Sequence, residues 1–379
     1  MNILLKILKW IGLTILALLL IITMIGTIFL NTSPQFGGSA SEEQVAEYKA
    51  TGHFADGVWI NPEPIDMKLD CHSVEQMVKE MFTPDPNVSP KNNIEVVKLD
   101  PESIGKNLSS KTRITWFGHS SFLIEIDGLN ILIDPVFGQY AAPHPLLGRS
   151  RYNRDMPIEI EELPKIDAIF ISHDHYDHLD YPSIEKLKNR TDAFFVPLGV
   201  GNHLRAWGIA DDIIQELDWW EETALATLKI VFTPSRHMSG RGLTDQSATL
   251  WGSWVLHGKT GRIFFSGDGG YGAHFAEIGK KYGPFHIGLM ECGQYNKLWA
   301  DVHMMPEQTV QAAKDVGAIM IVPIHWGSFT LATHSWIDPI ERVTAEARAQ
   351  KLRISTPQIG ETLILGSAQY PSTRWWERH

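Results

Sequence analysis

Twenty uncharged residues, Ile11 to Leu30, follow Lys6 and Lys9 and differ in character from everything after them. At about 1.5 Å per helical residue, such a run reaches across the ~30 Å hydrocarbon core of a bilayer. Residues 31–108 are polar and broken by Pro34, Pro62, Pro64, Pro84, Pro86 and Pro90, and they read as an extension draped over a core. Three short apolar runs come next: Ile114 to Phe117, Ser121 to Ile126 and Asn130 to Ile133. Asp127-Gly128 joins the last two as a hairpin turn. Beyond Asp167, apolar runs alternate with the helical candidates Pro182–Asn189, Tyr271–Lys281, Pro306–Val316 and Pro339–Gln350. Periodicity alone gives an α/β class, with no internal repeat or low-complexity tract.

The polar residues that end the apolar runs carry the chemistry. Ile166 to Ile171 leads into Ser172-His173-Asp174-His175-Tyr176-Asp177-His178-Leu179-Asp180, which packs three imidazoles and three carboxylates into nine residues. Histidine with aspartate, and no cysteine nearby, suits a borderline divalent ion such as zinc. His237, Asp268 and His325 each stand just past another strand-like run. His-x-His-x-Asp-His followed far downstream by His, Asp and His resembles the metallo-β-lactamase superfamily. That resemblance implies an αββα sandwich and two Zn2+ ions. His173, His175 and His237 would hold one ion, Asp177, His178 and His325 the other, and Asp268 would bridge them. Asp177 would also orient the attacking hydroxide. Histidine at 175, where the di-iron branch of the fold carries glutamate, favours hydrolysis over redox chemistry. Asp134 matches the superfamily's early strand-end aspartate and is expected to fix a ligand imidazole or a loop; an Asp-Pro turn is the plainer reading.

Trp116-Phe117-Gly118-His119-Ser120, Asp134-Pro135-Val136-Phe137, His175-Tyr176-Asp177-His178-Leu179-Asp180 and His325-Trp326-Gly327-Ser328-Phe329 narrow the likeness. Over roughly Pro34 to Gly366 the chain resembles the N-acyl-phosphatidylethanolamine-hydrolysing phospholipase D family and its bacterial relatives. The resemblance implies phosphodiester cleavage in a phospholipid, yielding phosphatidic acid and an N-acylethanolamine. His303, in Val302-His303-Met304-Met305-Pro306, matches a substrate-facing histidine, so Asp177, Asp268 and His303 are the expected catalytic groups. Gly269 and Val302 depart from the threonine and glutamine usual in the vertebrate enzymes, so lipid preference does not carry over. A lactonase or other acyl-ester hydrolase of the same fold is the rival activity, and a metal-binding envelope scaffold is the non-enzyme alternative.

A net charge of -11 disfavours a nucleic-acid partner and offers no general attraction to anionic lipid. Cys71 and Cys292 make no disulfide framework, and Cys292 reads as a buried packing residue. Among the tryptophans, Trp299 and Trp326 adjoin His303 and His325 and are expected in the cleft, whereas Trp375-Trp376 reads as a frayed tail. No Lys or Arg follows the apolar run until Lys49, so the positive-inside rule keeps the N-terminus cytoplasmic and sends the catalytic domain across the membrane. Gly38-Ser39-Ala40 comes too late for a signal-peptide cleavage site, which favours an uncleaved anchor. The expected organisation is an anchor over 1–30, an extension over 31–108 and a hydrolase domain over 109–370.

Overall fold

The computed structural model describes residues 3–67, 70–105 and 110–379. The boundary expected at 108/109 and the Cys71 side chain lie outside the described part. Helix α1, Ile3–Thr32, contains no proline and ends where Pro34 removes the next donor; Ser33 before it is extended. Its stretch Leu5–Thr32 is unburied, and is long and apolar enough to cross a bilayer, a property that a signal sequence shares.

After α1 the chain straps itself to the rest of the molecule. Gly37 (φ 71°) passes so close to the His203 ring that a Cβ there would stand 2.1 Å from Nδ1, so only glycine fits. Helix Glu42–Ala50, opened by a Ser41/Gln44 capping box, then delivers Tyr48 to the core, where Phe54 and Trp59 join it.

Two seven-stranded sheets face each other among the described residues. The first runs, in spatial order, Thr362–Ile364, Arg113–Trp116, Phe122–Ile126, Leu129–Ile133, Ala168–Phe170, Phe194–Pro197 and Ile214–Leu217. The second runs Glu222–Leu225, Leu228–Thr233, Ser253–His257, Arg262–Phe265, Ile287–Glu291, Met320–Ile324 and Arg353–Ile354. Phe122, Ile124, Phe170 and Phe195 point from the first sheet into a common core with Phe232, Trp254, Phe265 and Leu289 of the second. Leu123, Leu132, Ile169 and Phe194 point the other way, onto Ile184, Leu187, Leu204 and Trp207 of the covering helices. Burial on both faces explains why these strands read as unbroken apolar runs and not as alternation. The result is the αββα sandwich expected from the sequence.

The tryptophan expectations fare differently. Trp375 and Trp376 are 0% and 2% exposed, so the tail reading is corrected: the chain returns at its end to pack against the core. Trp326, also 2% exposed, stacks between Trp116 and Trp375 at 5.6 and 5.2 Å, and so belongs to that indole cluster and not to a cleft. Cys292 is buried and free.

Candidate metal centre

The loop leaving Ala168–Phe170 is held from below by Asp134, which follows the neighbouring strand Leu129–Ile133. Its carboxylate accepts the Ser172 N–H at 2.7 Å, the Ser172 hydroxyl at 2.6 Å and His178 Nδ1 at 2.7 Å. The expectation for Asp134 is met in this geometry: it fixes one imidazole and the loop that carries the others. With Nδ1 engaged, His178 turns Nε2 toward Asp268 Oδ2, 3.2 Å away.

His173, His175 and His237 converge, with one nitrogen of each within 4.8 Å of the others. His173 Nε2 stands 2.9 Å from His175 Nδ1, and His237 Nε2 stands 3.3 Å from the same atom. His237 donates from Nδ1 to the Val302 carbonyl at 2.9 Å, which leaves Nε2 with its lone pair facing the group. Asp177, His178 and His325 form a second group together with His119, a residue to which the sequence assigned no role. His119 Nε2 meets Asp177 Oδ2 at 2.8 Å. Asp268 faces both groups, at 3.8 Å from His173 Nε2 and 3.0 Å from His325 Nδ1. His119, Asp134 and His325 all hold positive φ (52°, 40° and 65°), so three non-glycine residues sit in left-handed backbone at strand ends around one centre.

His178 Nε2, Asp268 Oδ1 and His325 Nδ1 are buried without hydrogen-bond partners, a costly state for a folded interior. Imidazole nitrogens within 3.3 Å of one another, with two carboxylates beside them, form a donor set that could hold divalent metal. The electrostatics divide the imidazoles: burial would lower His178, but Asp268, Asp177 and Asp134 outweigh it and hold His178 well above its usual value. Burial alone would raise Asp268, yet His178, His325 and His173 outweigh it and hold the carboxyl well below its usual range. Asp177 is likewise held low against burial, by His178 and His119. Burial pushes His173, His237 and His325 down, toward the neutral form that coordinates metal.

A cavity of 210 Å³ opens above the cluster, lined by His175, Asp177, Asp268, His303 and His325 with Met67, Met238, Trp299 and Leu331 around them. Trp299 thus stands where the sequence expectation put it. His303 stacks on His325 at 5.2 Å, and Glu291 Oε1 approaches its Nδ1 at 3.4 Å. Burial raises the Glu291 carboxyl to about 7, against the pull of His303. Glu291 went unremarked in the sequence, although a single acid closing the apolar run Ile287 to Met290 was a signal. Asp174, the variable position of the motif, faces away from the cluster, accepting Gly240 N–H at 2.7 Å and the Thr249 hydroxyl at 2.8 Å.

Comparison with known proteins places this geometry. An uncharacterised protein of Mycobacterium tuberculosis is 38% identical over 337 residues, covering 88% of this chain and 89% of that one. N-acyl-phosphatidylethanolamine-hydrolyzing phospholipase D 1 of Caenorhabditis elegans is 33% identical over 242 residues, covering 60% of this chain and 68% of that one. Among solved structures, a metallo hydrolase of the archaeon Ignicoccus hospitalis shares the fold at TM-score 0.51 and 23% identity, over 68% of this chain and all of that one. The model of the beta-lactamase superfamily domain matches residues 129–326. With these matches and this arrangement of strand-end histidines and aspartates, the chain belongs to the beta-lactamase superfamily of metal-dependent hydrolases.

Proposed function

We propose that the chain is a membrane-anchored binuclear zinc hydrolase that cleaves a phosphodiester bond, with an N-acylated phosphatidylethanolamine as substrate. The observation that carries this reading is Asp268, whose carboxylate faces both histidine groups and keeps a buried oxygen free of hydrogen bonds. In this reading His173, His175 and His237 would hold one Zn2+ and Asp177, His178 and His325 the other, with Asp268 facing both groups. Bound there, the ions supply Lewis acidity at the phosphoryl oxygens and lower the pKa of water from 15.7 to about 7.

The chain's own residues do the rest. Asp177, its Oδ2 held by His119 at 2.8 Å, accepts a hydrogen bond from the attacking water and so fixes its line of approach. His303, braced by Glu291 through Nδ1, presents Nε2 to the phosphoryl group, where charge grows during displacement. Met67, Met238, Trp299 and Leu331 wall the cavity with apolar surface that suits acyl chains and excludes bulk water. Similarity to a phospholipase D that hydrolyses N-acyl-phosphatidylethanolamine supports the substrate class. In the same reading 1–30 is the anchor, with the N-terminus cytoplasmic, 31–108 the extension and 109–370 the hydrolase domain beyond the membrane.

The test pairs metal analysis of the purified chain with N-acylethanolamine release in mixed micelles. Two zinc ions per chain and chelator-sensitive release are expected. Full metal content with turnover of lactones and no phosphodiester cleavage would replace this reading with the acyl-ester one.

A further inference from the structure

A cleft of 590 Å³ lies between residues 89–93 and 149–154 and shares no lining residue with the metal cavity. Lys91, Arg149, Arg151 and Arg154 line it, and no carboxylate does. Arg151 is buried and committed to the carbonyls of Phe117, Val136 and Gly138. Lys91, Arg149 and Arg154 are exposed, and none forms an ion pair among the described residues. Ser89, Asn92 and Ser150 add neutral donors. In a chain of net charge -11, three unpaired cations in one cleft without an acid are a local reversal of the overall field.

The cleft's position narrows what fills it. Tyr140 and Ser150 pair across a β-bridge, so residues 140–150 form a loop whose base lines the cleft. Its tip reaches the end of α1: the His144 ring meets Phe29 edge-on at 5.9 Å. Beside that contact Leu146 and Leu147 are 86% and 64% exposed. Leu243, also exposed, rides on the loop whose Arg241 donates to the Gln35 carbonyl just past α1. Exposed leucines therefore stand near the end of the apolar helix, Arg149 and Arg154 follow Leu147 directly in the chain, and Lys91 joins them across the cleft. Apolar side chains ahead and cations behind is the order in which a protein meets acyl chains and then headgroups.

We propose that this cleft binds a phosphate anion, and that its occupant is the headgroup of an anionic phospholipid in the bilayer that α1 enters. The inference rests on the anchor reading of α1 and not on the phosphodiesterase reading. It also couples the two openings, because Phe329–Leu331 separates them: Thr330 lines the cleft, Leu331 lines the metal cavity, and the Arg151 guanidinium lies 4.9 Å over the Phe329 ring. A lipid held by its headgroup in the cleft would rest beside the mouth of the metal cavity.

The test titrates dioctanoyl phosphatidate and, separately, inorganic phosphate into the full chain in neutral detergent. Wild type is compared with the Lys91→Ala/Arg149→Ala/Arg154→Ala triple variant, with circular dichroism and thermal midpoint as checks on folding. Saturable phosphatidate binding that weakens about a hundredfold in the variant, roughly fivefold per charge removed, is expected. The corresponding Lys91→Arg/Arg149→Lys/Arg154→Lys protein should keep most of the affinity. Equal phosphatidate binding by wild type and the alanine variant would overturn the site, since the ligand would then sit elsewhere, the metal cavity included. Equal affinity of wild type for inorganic phosphate would overturn the lipid occupant and leave a free-phosphate site. Loss of α1 by cleavage is read independently, from the mass of the mature chain.

Discussion

The two sheets are built to one plan and do different work. Each lays down three antiparallel pairings and then three parallel ones. In that order Arg113–Trp116 corresponds to Leu228–Thr233, and a centre histidine follows each, His119 and His237. Leu129–Ile133 corresponds to Arg262–Phe265, and an aspartate follows each, Asp134 and Asp268. Here the halves diverge. Both oxygens of Asp134 are taken up by Ser172 and His178, and burial raises its pKa against them. Asp268 keeps an unbonded oxygen, and the surrounding imidazoles hold it well below its usual range. The loops after corresponding strands thus carry a carboxylate tied into the fold in one half and one with an unbonded oxygen in the other. The neighbouring loops decide which.

Breaking the reactive member should cost most. Asp268→Asn is expected to lower metal content and to cut turnover by about a thousandfold or more, the order set by several kcal/mol of metal-ion stabilisation. Elemental analysis and kcat on one preparation check it; a variant with two metals and full activity would sink the bridging assignment. His303→Ala comes next. The strand corresponding to Ala168–Phe170 ends in Glu291, so this half carries the Glu291–His303 pair where the other carries His173. Metal content should hold while kcat falls by about a hundredfold, as for loss of one charge-stabilising donor. Unchanged kinetics would return His303 to packing. Asp134→Asn should be milder, reducing metal affinity by about 10- to 100-fold with the fold intact, because the amide still accepts from Ser172 but serves His178 less well. A loss equal to that of Asp268→Asn would erase the distinction between the two aspartates.

Much of this was legible before any coordinates. His173, His175, His237, Asp177, His178, Asp268 and His325, which the structure brings together, could be singled out because they resemble the superfamily's motif and lie on loops that follow apolar runs, where this fold gathers chemistry. The Asp127-Gly128 turn was readable because both residues must take positive φ, 52° and 91° here. The duplicated sheet plan was not. It resides in pairing order, and the corresponding strands share no residue pattern beyond being apolar. His119 stayed hidden because a single histidine after a strand is ordinary until Asp177, 58 positions later, is folded against it. Trp326 and Trp375 misled because neighbourhood in sequence says nothing of side-chain direction. Each meets its partners only after the chain end returns to the core.

The plan has a further consequence at the end of the sheets defined by their hairpins. The turn between Phe122–Ile126 and Leu129–Ile133 corresponds to the turn between Ser253–His257 and Arg262–Phe265. The two turns meet. Asp127 of the first accepts the Lys259 N–H at 2.5 Å, the Thr260 N–H at 2.9 Å and the Thr260 hydroxyl at 2.7 Å of the second. Burial would raise this carboxyl, but those donors outweigh it and hold it below its ordinary 3.8. Because the folded value is the depressed one, the stabilisation is present above about pH 4 and is lost as pH falls through the folded pKa. Asp127→Ala should therefore cost about 1 kcal/mol at neutral pH, a figure kept small because the group is only partly buried. The variant should also flatten the acid limb of the stability curve below about pH 4, while leaving metal content and turnover unchanged. Urea titrations at pH 7 and pH 3 measure both effects. A stability loss of the same size at both values would mean that Asp127 acts by shape and not by charge, and that the two halves are joined here by packing alone.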